Sequence, residues 1–87
     1  MFPGIDNTYR NNMFEHKADV IKTNKSKTGY VYISTNNTSD AGLETMVFVC
    51  NAEGNVVDWV GNLDGDRYDN KAAAEIGHQN MINKWQY

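Results

Sequence analysis

The chain has 87 residues, of which 40% are hydrophobic and 11% aromatic, and its formal net charge is −3. That length holds one domain with a thin core, and that apolar content suits a compact globule rather than a disordered tail. A lone cysteine, Cys50, excludes an internal disulfide, residues 1–17 lack the apolar run of a secretory signal, and no stretch approaches the roughly 18 apolar residues of a membrane span, so the expected compartment is the cytoplasm.

Residues 1–17 read as irregular or as a short helix. Pro3 and Gly4 favour an extended start, while Asp6 is placed to cap a turn carrying Tyr9, Met13 and Phe14. The sheet is expected over 18–63. Residues 18–23 form a first strand around Val20 and Ile21, and 24–29, with its Asn, Ser, Thr and Gly, forms a turn. Residues 30–35 form a second strand, with Tyr30, Tyr32 and Ser34 facing one way and Val31, Ile33 and Thr35 the other. After a polar loop at 36–42, residues 43–50 are apolar on both faces, which marks a central, doubly covered strand. Asn51-Ala52-Glu53-Gly54-Asn55 suits a hairpin loop with a left-handed glycine. Residues 56–63 read as the return strand, with Val57, Trp59 and Leu63 on one face, broken by Asp64-Gly65-Asp66.

A helix is expected over 70–86, capped by Asp69 or Asn70. At 100° per residue, Ala74, Gly77, His78, Met81 and Trp85 share one face, and Ile76 points the other way. The spacing therefore predicts an α+β fold: a four-stranded antiparallel meander with the C-terminal helix packed on one face.

Residues of catalytic type do not assemble into a motif. Asp64, Asp66, Tyr68, Asn70 and Glu75 fit positions one, three, five, seven and twelve of a calcium loop. Asp69 stands where that loop needs glycine, and a strand precedes it instead of a helix, so no metal is expected. His16 and His78 lack ligand spacing, and His78 on the inward stripe reads as a packed, hydrogen-bonded side chain. Cys50, inside an apolar run, reads as an inert buried thiol. No phosphate-cradling glycine loop and no nucleophile motif is present, so neither an enzyme nor a cofactor is expected.

Charge is uneven. Arg10, Lys17, Lys22, Lys25 and Lys27 outnumber the acids of the first thirty residues, and acids dominate afterwards. Lys22, Lys25 and Lys27 beside Tyr30 and Tyr32 combine charge with stacking surfaces, the pairing that single-stranded nucleic acid requires. Net acidity opposes that reading.

Glu44-Thr45-Met46-Val47-Phe48, then Tyr68, then Ala74, Gly77-His78, Met81 and Trp85 resemble a pattern in small bacteriophage proteins of unknown function, in which an ETMVF strand precedes an A-x-x-G-H-x-x-M helix. The resemblance covers about 43–85. It implies the same strand, hairpin and helix order and a phage origin, and it carries no activity.

The expected function is that of a non-enzymatic phage accessory protein that binds or inhibits a host protein of defence or transcription. The alternatives are the nucleic-acid module just described and a sponge for a nucleotide signal. Because one helix covers only one sheet face, a homodimer is also expected, with Leu43, Val47, Val49 and Ile76 at its contact. Internal cover by Phe2, Ile5, Tyr9, Met13 and Phe14 is the competing arrangement.

Overall fold

A computed structural model describes residues 15–38 and 42–87. The N-terminal helix expected around Tyr9, Met13 and Phe14, and the cover expected from Phe2 and Ile5, lie outside the described residues. Strands β1 (Lys17–Lys22), β2 (Tyr30–Thr38), β3 (Gly42–Val49) and β4 (Asp64–Tyr68) form one antiparallel sheet in chain order, and helix α1 (Lys71–Trp85) follows. This is the α+β meander, with one C-terminal helix packed on the sheet, that the periodicities predict.

Register fixes the two faces. Ile33 pairs with Val47, Val31 with Val49 and Thr35 with Thr45 across β2 and β3, so all six share one face. Asp19 and Ile21 join them from β1, and Asp66 and Tyr68 from β4. Helix α1 lies on this face. Its Met81 closes a core with Val31, Ile33 and Val47, bordered by Ile21, Ile82 and Trp85. Burying one such aliphatic side chain contributes about 1.5–3 kcal/mol.

The helix begins as its sequence requires. Asn70 Oδ1 accepts the Ala73 N–H at 2.8 Å, filling one of the open donors of the first turn. Ala74, His78 and Met81 are buried, and Ile76 points away with 63% of its surface exposed. At the far end Lys25 Nζ donates to the Lys84 carbonyl at 2.5 Å, placing a cation at the negative pole of the helix.

The fourth strand differs from expectation. The sequence reading puts it at 56–63 with a break at Asp64-Gly65-Asp66, whereas the structure breaks the chain at 58–62 and pairs Asp64–Tyr68 with β3. Val56 makes only an isolated bridge to Cys50. The Val57 N–H donates to the Val49 carbonyl at 3.0 Å and the Leu63 N–H to the Val47 carbonyl at 2.7 Å, so the chain leaves the edge of β3 and rejoins it two residues along. Asp58 causes the departure. Its Oδ1 accepts the N–H groups of Val60 at 3.0 Å and Gly61 at 3.1 Å, an Asx turn that competes with strand pairing. The polar residues of β4 are tolerated because it is an edge strand whose outer side needs no partner.

The preceding hairpin loop agrees with its sequence. Gly54 has φ 86° and its N–H donates to the Asn51 carbonyl at 2.9 Å, while Asn51 Oδ1 accepts the N–H groups of Glu53 and Asn55. The polar loop expected at 36–42 is shorter than that span, since β2 continues to Thr38 and β3 starts at Gly42.

Candidate functional site

Two features of the described residues carry polar or aromatic groups beyond what packing requires. One is the excursion at 57–63, on the sheet face opposite the helix. The other is a line of polar side chains beneath the helix.

The excursion folds over the outer face. Trp59 meets Tyr32 edge-on, with ring centroids 6.0 Å apart and planes at 78°, and tilts against Phe48 at 5.0 Å. Such aromatic pairs contribute about 0.5–1.5 kcal/mol beyond their area. Gly54 lies so close to β1 that a Cβ there would meet Val20 Cγ2 at 2.9 Å. Trp59 therefore has one side fixed on the sheet, yet 64% of it remains exposed, and its neighbour Val60 is 92% exposed. Val57, Leu63 and Val20 are exposed too. Gly61 and Val60 N–H groups hold the Asp58 carboxyl below the usual carboxylate range, against a small opposing push from desolvation, with the Lys27 charge adding to the lowering. The tip is thus an apolar pair on a turn that is pinned at both ends.

Beneath the helix, Thr35 and Thr45 face each other across β2 and β3 with hydroxyl oxygens 2.5 Å apart. Tyr68 donates its hydroxyl to Thr45 Oγ1 at 2.9 Å. His78 Nδ1 lies 2.6 Å from Thr35 Oγ1, and Nε2 lies 2.7 Å from Asp19 Oδ2. Thr35, Thr45 and His78 are buried, and no buried side-chain polar atom among the described residues lacks a partner. Burial pushes the Tyr68 hydroxyl above its ordinary value, and Asp66 and Asp64 add to that against the opposing Thr45 bond, so Tyr68 stays a donor. Asp19 opens onto a cleft of about 360 Å³ bounded by Lys17, Glu75, His78 and Gln79. An aspartate, a histidine and a hydroxyl in line suggest hydrolytic chemistry, but the geometry withholds it. Thr35 has no exposed surface for a substrate to reach, so its hydroxyl is not placed to act as a nucleophile.

The basic and aromatic residues singled out in the sequence do not form one surface. Lys22, Tyr30 and Tyr32 share the outer face with Trp59. Lys25 turns away to the helix C-terminus, and Lys27 lies close enough to Asp58 to feel its charge. The residues expected at a dimer contact lie in different surroundings. Val47 and Val49 are buried under the helix within their own chain, and Leu43 is half-buried on that same face beside Tyr68, so none offers the open patch that a second copy would require. Ile76 alone of the four is exposed, on the opposite side of the helix.

The acidic run from Asp64 is not a cation loop. Asp64 accepts from Lys84 Nζ at 2.7 Å and from Trp85 Nε1 at 3.1 Å. Asp66 Oδ1 accepts the Arg67 N–H. Among the described residues no three His, Cys, Asp or Glu side chains are grouped to hold a metal ion, and no helix is long and apolar enough to cross a membrane. Compared with known proteins, the chain matches no family model, no curated protein and no solved structure.

The sequence carried signals for the groups it left unread. Thr35 and Thr45 interrupt apolar strands on the face that bears Ile33 and Val47, where a hydroxyl is costly unless bonded. Asp58 followed three residues later by Gly61 is a turn signature, and it places Trp59 at a tip rather than along a strand.

Proposed function

We propose that this chain is a non-enzymatic binding protein that engages a second protein through the tip formed by Val57, Trp59 and Val60. The observation that carries this reading is the posture of Trp59, braced from below by Tyr32 and Phe48 yet largely open to solvent next to a fully displayed valine. Tryptophan is the residue most enriched at protein-binding hot spots. A side chain already fixed in place loses little freedom when a partner closes over it. The resemblance of 43–85 to small phage proteins makes a host-cell protein in the cytoplasm the expected partner.

Nucleic acid is the weaker reading, because Lys25 and Lys27 are turned to the helix end and to Asp58 and do not extend a cationic track beside Tyr30 and Tyr32.

The test compares capture from host lysate by the wild type with capture by Trp59→Ala and Val60→Asp, followed by reconstitution from purified components. A protein that binds the wild type directly, and binds either variant at least tenfold more weakly, is the expected result. Direct binding that survives both substitutions would place the contact elsewhere and overturn the proposal.

A further inference from the structure

The polar line beneath α1 crosses the sheet from one edge strand to the other, about 14 Å at roughly 4.8 Å per strand spacing. Its proton order can be derived link by link. An ionised Asp19 only accepts, so His78 Nε2 carries the hydrogen in the 2.7 Å contact. The other nitrogen of a neutral ring is then an acceptor, and Thr35 donates to it at 2.6 Å. Having given its proton to His78, Thr35 accepts from Thr45. Thr45 in turn accepts from Tyr68, the direction that the Tyr68 hydroxyl geometry shows. Every hydroxyl donates once, and each points toward the histidine.

We propose that Tyr68, Thr45, Thr35, His78 and Asp19 form a directional hydrogen-bond relay whose three hydroxyls reverse together when His78 takes up a proton, so that acidification at the β1 edge is reported at Tyr68 on the β4 edge. The added proton sits on Nδ1, which becomes a donor to Thr35. Thr35 can then donate only to Thr45, and Thr45 only to Tyr68. Tyr68, which is partly exposed, keeps its proton and turns its O–H to donate to water while it accepts from Thr45. No covalent bond between heavy atoms changes, and each hydroxyl rotates about its C–O bond. The charged and titratable groups facing the relay are Lys17 and Asp19 from β1, Asp64, Asp66 and Tyr68 from β4, and Glu75 from the helix itself. From β2 and β3 the relay meets only the two threonine hydroxyls.

Nitrogen NMR of the His78 ring, followed together with the ring-carbon signals of Tyr68 across a pH titration, tests this on the intact chain. The expected result is the Nε2–H tautomer at neutral pH, and a Tyr68 shift that tracks His78 with the same midpoint. Thr45→Val should abolish the shared titration and Thr45→Ser should keep it. Should Thr45→Val fail to fold, the wild-type titration decides alone. An Nδ1–H tautomer at neutral pH, or a Tyr68 signal that ignores the His78 titration, would overturn the relay.

Discussion

Gly77 shows how much one missing side chain can decide. A Cβ at that position would fall 2.2 Å from Tyr68 Cε1 and 2.4 Å from its hydroxyl oxygen. The tyrosine ring therefore crosses the helix where the backbone is bare, and that crossing aims its hydroxyl at Thr45. Gly77→Ala gains about 1 kcal/mol of helix propensity. It costs more, because ring atoms cannot yield by a full ångström without losing the Thr45 bond, and overpacking of this kind costs about 1–3 kcal/mol. Denaturant unfolding should show a net loss, and the same change made in a Tyr68→Ala background should be neutral or stabilising. Equal loss in both backgrounds would mean that the ring is not the obstacle. Cys50 makes a second case at this scale. It is fully buried, and burial pushes its thiol up, so the nucleophilic thiolate is scarce. Labelling by a thiol reagent should be slow in the native state and fast in denaturant, and rapid native labelling would contradict the placement.

Among the elements, what the sequence made legible followed periodicity. Alternation gave Val31, Ile33 and Thr35 one face of β2, and the 100° period put Ala74, His78 and Met81 against the sheet and Ile76 outside. The return strand was misplaced because Val56, Val57 and Val60 have high strand propensity and Asp64-Gly65-Asp66 reads as a turn. Tertiary pairing with β3 and the Asp58 turn outweighed both preferences. The relay was half legible. His78 reads from its helix position as a buried, bonded side chain, but its partner Asp19 lies fifty-nine positions away, and no local pattern shows such a pairing. The β4 strand is held to the helix end by Asp64. Burial pushes that carboxyl up, but bonds from Lys84, Trp85 and the Gly65 N–H outweigh the push and leave it below the ordinary carboxylate range. With its folded value depressed, Asp64 contributes stability that is fully present above its unfolded value of about 3.9 and is lost as pH falls through the folded value. Asp64→Asn should therefore cost about 1–2 kcal/mol at neutral pH, with the difference from wild type shrinking as acid protonates the folded carboxyl. A penalty that persists unchanged in acid would show that the carboxylate charge is not what ties the strand to the helix.

At the scale of the whole molecule, the question raised by the sequence is what covers the second face of a sheet whose central strand is apolar on both sides. A second copy, with Leu43, Val47, Val49 and Ile76 at its contact, is one solution. The helix covers Val47 and Val49, and on the other face Phe48 and Cys50 are also buried, with the excursion carrying Trp59 laid across Phe48. Val47, Phe48 and Val49 of the central strand, and Cys50 just after it, are thus covered, and among the described residues most of the exposed apolar side chains lie at 57–63, with Val20, Ile76 and Tyr87 elsewhere. Isolated apolar side chains are common on monomers, so this remainder does not by itself demand a dimer. Light scattering across a concentration series should give a constant mass near 9.9 kDa up to tens of micromolar. A mass that doubles with concentration, and returns to the monomer value in Trp59→Ala, would show that the tip closes on a second copy of the chain. In that event the tip is occupied before any other protein arrives, and the proposed binding role would need a different surface.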